Sequence, residues 1–344
     1  MRRWSYLAAF SLPLLLVLST QWTWSWLVVP LFVFVGIPLL DLVSGDDPVN
    51  PNEDHYKSFK NSRFHAWVPR LYALFQGALI IWAVWQASNL TGSQWWWFAI
   101  SLGLVTGGVG ITVAHELGHK SRRLDQWLSQ FLLWHVNYMH FFIEHNKGHH
   151  AHVATLEDPA SARFGESLYR FLPRTLVGGW LSAWRLETKR LKKSGLRLFG
   201  HRNAMLWYAV LPQVLALTLG LMGGWKAVGL FYIQATIAVL LLEIINYIEH
   251  YGLSRSKGAD GRYEKVTPQH SWNATPMISS LLLFQLQRHA DHHANPLRPY
   301  QTLRHMPHSP QLPAGYASMI PLALVPPLWR RVMHPKIRSM QAGV

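Results

Sequence analysis

The sequence of 344 residues contains no cysteine. This absence excludes disulfides, zinc sites built on thiolates and iron–sulfur centres, because all of these need cysteine sulfur. Charged residues are scarce as well, at 14%, and only 17 of them are Asp or Glu, against 32 Lys or Arg. Half of the chain is hydrophobic and 18 residues are Trp. Such a composition is rich for a soluble domain and suggests apolar segments separated from polar ones along the chain.

Six apolar runs appear in this way, each near the ~20 residues that a helix needs to cross a bilayer. They lie at about 5–20, 22–44, 69–88, 94–114, 205–222 and 226–247. The first run follows Arg2 and Arg3 and is also compatible with a signal peptide, but no small-residue cleavage site follows it. We therefore predict an all-α protein with six transmembrane helices.

The cations predict the topology. If the turns after the first, third and fifth runs lie outside, 31 of the 32 Lys and Arg residues lie inside, and only Lys226 lies outside. The positive-inside rule then places both termini in the cytoplasm. Segments 115–204 and 248–344 form a cytosolic helical cap on a single membrane-embedded domain, 1–344. The basic face suits anionic lipid or an acidic protein, whereas no nucleic-acid-binding motif accompanies the charge.

Nine of the nineteen histidines fall into four tight groups on the predicted cytosolic side. The groups are His115 and His119; His145, His149 and His150; His250; and His289, His292 and His293. Spacings of i and i+4 place two imidazoles on one face of a helix, so each multi-histidine group can chelate, and none completes a site alone. Nine ligands suit two metal ions. Imidazole is compatible with zinc, copper, iron or nickel, so ligand type leaves the metal open.

Carboxylates stand next to each group: Glu116, Glu144, Glu249 and Asp291. We expect most of them to accept the free ring N–H of a histidine and to fix its tautomer. Glu243 and Asn246 precede His250 on roughly the same helical face and are further candidates, since ionisable residues at membrane depth are costly and usually functional. Glu243 could pair with a cation, orient a ligand, relay protons or only pack.

The segment HELGH also fits the zinc-protease pattern, with Glu116 as general base. A protease needs one further ligand, however, and would leave the other histidine groups unexplained. A metal-binding membrane protein without catalytic activity is another alternative.

Four segments resemble the signature blocks of the integral-membrane alkane 1-monooxygenases, within the desaturase and hydroxylase superfamily. They are HELGHK, EHNKGHHAHVATLEDPASARFGES, NYIEHYGL and LQRHADHHANPLRPYQTLR. The middle histidine box, His145-x-x-x-His149-His150, differs from the shorter box of general desaturases. With the six predicted spans, the resemblance covers about 20 to 335.

This resemblance implies oxygen-dependent hydroxylation of a terminal alkane carbon at a non-haem di-iron centre, in a bacterial inner membrane. It carries the family's iron ligands over to all nine grouped histidines. Hydroxylation of alkyl-aromatic methyl groups, as in the xylene-type enzymes, and fatty acyl desaturation are the alternatives within the superfamily. We expect an apolar substrate channel that includes residues of the second span.

Each turnover needs two electrons, and the chain has neither cysteine for an iron–sulfur centre nor a flavin or nicotinamide fingerprint. A separate donor is required, and the resemblance implies rubredoxin with its NAD(P)H-dependent reductase. Candidate docking cations are Lys120, Arg122, Arg123, Lys147, Arg288, Arg298 and Arg304.

Overall fold

The computed structural model of the protein describes residues 3–21 and 27–342. Within these ranges the regular structure is helical, with isolated bridges and no β-strand, which confirms the predicted all-α class. The helices are α1 (Trp4–Ser19), α2 (Val28–Ser44), α3 (Glu53–Lys60), α4 (Arg63–Asn89), α5 (Gly92–Gly118), α6 (Arg123–His135), α7 (Phe141–Glu144, continued by His145–His149 and His150–His152), α8 (Leu168–Lys193), α9 (Ala204–His250), α10 (Met277–Leu282), α11 (His289–Ala294), α12 (Tyr316–Ala323) and α13 (Pro326–Ala342).

Three of these helices, α4, α5 and α9, are long and apolar enough to cross a membrane. They contain the predicted spans 69–88 and 94–114 and the two predicted spans after residue 204. The last two spans are joined in α9, but Gly224 has non-helical angles (φ 66°, ψ −162°), so two helices meet there. Shorter apolar helices, α1 and α2, correspond to the first two predicted spans. Residues 22–26 of the second predicted span lie outside the described residues.

The contact between α5 and α9 is close because glycines of α5 face α9. A Cβ on Gly107 would lie 2.6 Å from the Cα of Ala238, so only glycine allows this approach, as in other helix pairs packed inside membranes. Next to Gly107, the hydroxyl of Thr106 donates to Oε1 of Gln234 (2.6 Å), one turn before Ala238, and Nε2 of Gln234 donates to the backbone oxygen of His135 (2.7 Å). These polar contacts fix the register of α5, α6 and α9.

The two ends of the bundle differ in chemistry. Lys226, just after the break in α9, donates to the backbone oxygens of Leu90 (2.7 Å) and Ser88 (3.1 Å), so the turn after α4 and the break in α9 lie at one end. Helix α5 runs from this end to Gly118, and the second part of α9 runs from it to His250. The histidine-bearing ends of both helices therefore lie together at the opposite end, beside α6, α7, α8 and α11.

A buried ion pair joins this histidine-bearing cap to the bundle. Nε of Arg70 in α4 lies 2.6 Å from Oδ1 of Asp125 in α6, and both residues are buried. The topology prediction counted Arg70 among the cations on the inside. In the structure α4 begins earlier, at Arg63, so Arg70 lies inside the helix and its charge is neutralised by Asp125 rather than by solvent.

Candidate metal centre

Four short segments bring the nine grouped histidines together. His115 lies in the last turn of α5, with His119 directly after that helix, and His250 is the last residue of α9. Helix α11 contains three more. The remaining three lie in α7, where His145–His149 form a π-helical turn. Such turns are rare and often occur at functional sites.

The nine side chains form two adjoining groups, and within each group the ligand atoms lie within 4.8 Å of one another. The first group has five members: His115, His119, His145, His150 and His292. The second has four: His149, His250, His289 and His293. Every member of the second group is buried, as are three of the first. Each group could hold one metal ion.

The division within α7 differs from the expectation that residues i and i+4 act together. His145 belongs to the first group and His149 to the second, and Nε2 of His145 lies 3.1 Å from Nε2 of His150, five residues later. The π turn explains this pairing, since its backbone bonds join residues i and i+5 and the N–H of His150 donates to the oxygen of His145. His115 and His119, in contrast, stay in one group as expected.

The spacing of the ring nitrogens fits metal binding. Nε2 atoms approach one another at 3.1 Å between His119 and His145 and at 3.2 Å between His289 and His250. Two nitrogens bound to one metal at about 2.1 Å lie about 3.0 to 3.4 Å apart for right-angle to tetrahedral geometry. Moreover, Nε2 of His115 and Nε2 of His149 are buried without a hydrogen-bond partner among the described residues. Buried polar atoms of this kind call for an explanation, and a bound metal supplies one.

Burial keeps most of these imidazoles neutral, as metal ligands must be. It lowers the pKa of His115 and the pKa of His250 to about 3, with further lowering from neighbouring histidines. His149 is the exception. Burial alone would lower its pKa, but the nearby carboxylate of Asp158 raises the pKa of His149 to about 9. This histidine therefore holds a proton that a metal ion must displace.

Asp158 is a residue of the site that sequence reasoning missed. Its Oδ2 lies 2.9 Å from Nδ1 of His149, and both side chains are buried. The carboxylate also accepts the hydroxyl of Ser161 (2.6 Å) and the backbone N–H of Ala160 (3.0 Å), which fixes its orientation. Asp158 thus occupies Nδ1 of His149 and leaves Nε2 for the metal, as a partner in the second coordination layer does.

Of the four acids expected to hold histidines, Glu249 is the one with a histidine contact in the structure. Its Oε2 lies 3.2 Å from Nε2 of His289, while Oε1 accepts the hydroxyl of Tyr316 (2.6 Å). Because Nε2 of His289 also faces His250, this carboxylate points into the second group. Burial raises the pKa of Glu249 to about 8.

The other three acids have different partners. Glu116 contacts the ammonium of Lys120 and the backbone N–H of Tyr300. Asp291 binds the guanidinium of Arg298 at 2.5 and 2.6 Å. Glu144 has one buried oxygen, Oε1, with no hydrogen-bond partner among the described residues. For these three the structure therefore differs from the expected role.

Glu243 accepts hydrogen bonds from three elements rather than pairing with a Lys or Arg side chain among the described residues. Tyr138 donates to Oε1 (2.7 Å), and Thr175 (2.8 Å) and Asn246 (3.2 Å) donate to Oε2. A cavity of about 10 Å³ separates this cluster from Glu144, with His140, His145 and His149 also in its wall. His140 lines this cavity and lies in neither metal group, and His152, at the end of α7, pairs with Glu157 at 3.1 Å.

Two apolar cavities lie in the bundle, and one of them borders the histidines. One, of about 50 Å³, is lined by residues of α1, α2, α5, α9, α10 and α12, among them Val33, Ile37 and Gly108. The other, of about 20 Å³, is lined by His115, His145 and His289, and Ile245 lines both. Of the second span, Val33 and Ile37 line the first of these cavities, whereas Leu31, Val35, Leu39 and Leu42 are exposed, so the substrate channel stays a prediction.

The predicted docking cations divide into exposed and enclosed residues. Arg122, Arg123 and Lys147 are exposed. Arg288 is buried, and its guanidinium donates to the backbone oxygens of Leu303 (2.7 Å) and Asp47 (2.8 Å). The prediction that Arg288 contacts a partner is therefore wrong, because its charge holds two loops together inside the cap. Lys120, Arg298 and Arg304 are partly enclosed and have the acidic neighbours Glu116, Asp291 and Glu53.

Comparison with known proteins agrees with this geometry. Residues 91–323 match the fatty acid desaturase family model. The chain is 48% identical to alkane 1-monooxygenase 1 of Pseudomonas aeruginosa over 329 residues, 94% of this chain and 85% of that protein. The chain belongs to the alkane 1-monooxygenase family, within the membrane desaturase and hydroxylase superfamily. It is thus an enzyme and a membrane protein.

Two further relatives show where the chain lies in this family. It is 41% identical to alkane 1-monooxygenase 2 of Alcanivorax borkumensis, covering 100% of this chain and 93% of that protein. It is only 28% identical to the xylene/toluene monooxygenase hydroxylase component of Pseudomonas putida, covering 70% of this chain and 64% of that protein. The sequence is therefore more similar to these alkane enzymes than to the alkyl-aromatic one.

Proposed function

We propose that this enzyme hydroxylates the terminal carbon of n-alkanes to 1-alkanols at a non-haem di-iron centre. The observation that carries the proposal is the pair of adjoining all-histidine groups at the inner end of an apolar cavity. Its relatives named alkane 1-monooxygenase, at 40–48% identity, support the alkane over the alkyl-aromatic substrate.

The nine grouped histidines would hold two iron ions, which supply the activation of O2 needed to cleave an unactivated C–H bond. Iron is proposed over zinc because of the family, while the ligand set itself suits both metals. Asp158 would orient His149, and Glu249 would lie against the second ion. Glu116 has no role as a general base in this scheme, because the ammonium of Lys120 and the backbone N–H of Tyr300 contact its carboxylate.

The apolar cavities would bind the alkane chain. A hydrocarbon offers no polar group, so recognition depends on burial, worth about 0.8 kcal/mol per CH2. The cavity at Val33, Ile37 and Gly108 would hold the body of the chain, and the cavity at Ile245 and Leu286 would present its end to the histidines. The apolar side chains that line these cavities would also exclude water from them.

We place six spans in a bacterial inner membrane with both termini, the cap and the metal centre in the cytoplasm. Exposed Trp residues lie toward both ends of the bundle, with Trp85 and Trp225 near Lys226 and Trp127 and Trp207 near the cap, as expected for aromatic belts at the two membrane interfaces. The absence of native cysteine makes a direct topology test possible. In spheroplasts, a membrane-impermeant maleimide should label Ser93→Cys and leave Ser194→Cys unlabelled, since both positions are exposed; the reverse pattern would invert the orientation.

Electrons would come from rubredoxin, reduced by an NAD(P)H-dependent reductase. The exposed cations Arg122, Arg123 and Lys147 lie on the cap near the first histidine group and suit an acidic donor. Charge reversal at Arg123 should raise the KM for rubredoxin and weaken the salt dependence of turnover. Reversal at Lys257, an exposed cation elsewhere on the cap, is the matched control. Equal effects at both positions would refute the proposal that rubredoxin docks on this surface.

The decisive experiment combines metal and product analysis. Purified protein with rubredoxin, reductase and a panel of n-alkanes should yield 1-alkanols and contain two irons per chain. One zinc with peptide cleavage would support the protease alternative, and an alkene or unsaturated acyl product would support a desaturase. Absence of alcohol from every alkane, with a competent donor system and two irons present, would overturn the proposal.

A further inference from the structure

The buried polar cavity beside Glu243 is distinct from the two apolar cavities, and His145 and His149 of the metal groups line part of it. It lies between α7, α8 and α9, and its polar lining comes from all three. A volume of about 10 Å³ is close to the smallest that holds one water molecule, provided that polar partners surround it. Those partners are present: the carboxylates of Glu144 and Glu243, the hydroxyls of Tyr138 and Thr175, and the ring of His140.

The cavity borders the reaction cavity directly. Phe141, His145 and Asn246 line both of them. Asn246 donates through Nδ2 to Glu243 (3.2 Å) and also lines the reaction cavity. Asn246 is thus the residue that connects the carboxylate cluster to the cavity lined by His115 and His289.

Glu243 is held in a way that suits reversible protonation. Its carboxyl group is buried at 3% exposure, which disfavours the charged form, while three donors favour it. No Lys or Arg side chain lines the cavity in the described part of the chain. The titratable groups that face it are Tyr138, His140, Glu144, His145 and His149, besides Glu243 itself. With no Lys or Arg beside it, this carboxylate can be neutralised by a proton.

Alkane hydroxylation consumes protons as well as electrons. The balanced reaction is R–H + O2 + 2 e⁻ + 2 H⁺ → R–OH + H2O, with the electrons supplied by reduced rubredoxin under the proposed function. One C–H bond and the O–O bond break, and the second oxygen leaves as water. A reaction cavity lined by apolar side chains needs a controlled path for these two protons, because open access to bulk water would release reactive oxygen species unproductively.

We propose that Tyr138, Glu243 and one water molecule in this cavity form the proton-supply route to the reaction cavity, with Asn246 as the positioning residue between them. The proposal rests on the proposed function for its reaction. Ser182, half-buried on α8, hydrogen-bonds to Glu144, which lines the cavity.

The test compares Glu243→Gln and Tyr138→Phe with Tyr72→Phe. Gln keeps the size of Glu and can still accept from Tyr138, but it carries no transferable proton. Tyr72 is a matched control, since it is buried and its hydroxyl has no hydrogen-bond partner among the described residues. Loss of one positioned proton-transfer group costs about 10²–10⁴-fold in rate; because water can partly replace a relay, we expect about 10- to 100-fold loss of kcat in Glu243→Gln. Glu243→Asp should recover part of that loss.

Readouts other than rate separate proton supply from structural support. In both variants we expect wild-type iron content, a larger solvent deuterium isotope effect on kcat and more hydrogen peroxide per alcohol formed. In the protein at rest, infrared difference spectra should show a carboxylic C=O band that shifts in D2O and is absent from Glu243→Gln. If that variant does not fold, the isotope effect and coupling of Tyr138→Phe decide the question alone. If both variants show the same isotope effect and the same peroxide-to-alcohol ratio as the wild type, the proton route is overturned even though the wild type makes 1-alkanol. If the wild-type protein makes no alcohol, the proposed function is overturned instead.

Discussion

Replacing Asp158 with Asn should remove iron from the second histidine group while leaving the first group filled. The carboxylate accepts the Nδ1 proton of His149, so Nε2 is the ring nitrogen that gives up its proton to a metal. In Asp158→Asn, the backbone N–H of Ala160 holds the amide oxygen at the Oδ1 position, and the amide NH2 then faces His149. Because this NH2 donates, Nδ1 must accept and the ring proton moves to Nε2, the nitrogen that the metal needs. Rotating the amide to avoid this would set two donors against each other at Ala160.

The size of the effect follows from this tautomer shift. Loss of a carboxylate partner behind a metal-binding histidine typically costs 10–100-fold in metal affinity, or about 1.4 to 2.7 kcal/mol. We therefore expect a chelator titration to remove about half of the iron at a concentration 10- to 100-fold below that needed for the wild type. Asp125→Asn is the control, because it makes the same chemical change at another buried carboxylate, one that contacts Arg70 and no histidine. Wild-type resistance to the chelator in Asp158→Asn would refute the assignment of Asp158.

Three further predictions concern other parts of the molecule. In Gly108→Leu, the longest accepted alkane should shorten by about two carbons, and kcat/KM for the longest wild-type substrate should fall about 15-fold with little change for short alkanes, since two displaced CH2 groups cost about 1.6 kcal/mol. The helix accepts the change, because a Cβ on Gly108 meets only a side-chain methyl of Leu241, at 3.8 Å. An unchanged product profile would show that the alkane does not bind in this cavity. Arg70→Met should destabilise the fold by about 3–5 kcal/mol in detergent unfolding curves because it leaves a buried carboxylate unpaired, whereas a loss below 1 kcal/mol would mean that the pair is solvated. In metal-free protein the pKa of His149 is raised to about 9, so protonation of this residue stabilises the fold fully below about pH 6.5, and the stabilisation is lost as pH rises through about 9. Metal binding by the second group should become stronger over the same pH interval. Calorimetry at several pH values measures both effects.

The sequence predicted which histidines would meet but not how they would be shared. Position was predictable because His115, His119 and His250 follow the apolar runs within α5 and α9, and the predicted topology puts the ends of these runs on one side of the membrane. The division between the two groups depends on the π turn at His145–His149, which no spacing rule signals. A regular α-helix would have kept His145 and His149 in register for one ion.

The acids show the limits of adjacency in sequence. Glu116 and Asp291 are neighbours of histidines along the chain, yet successive residues on a helix point about 100° apart, so a neighbour faces different partners. Asp158 lies nine residues after His149 and reaches it through an irregular turn stabilised by Ser161 and Ala160. That contact requires tertiary structure, and a single sequence contains no local signal for it. Arg288 was misjudged for the same reason, since the loop containing Asp47 covers it.

The way in which the chain shares its histidines couples the two proposed ions. Helix α5 contributes only to the first group and α9 only to the second, whereas α7 and α11 contribute to both. Neither group can form unless α7 and α11 are in place, and once they are, each ion constrains the segments that hold the other. The distance between the groups is then set by the approach of α5 and α9, which the absence of a Cβ at Gly107 makes as close as backbone contact with Ala238 allows. A larger residue at that position would push the two histidine-bearing ends apart, so a packing contact deep in the bundle influences the spacing of the two histidine groups at its end.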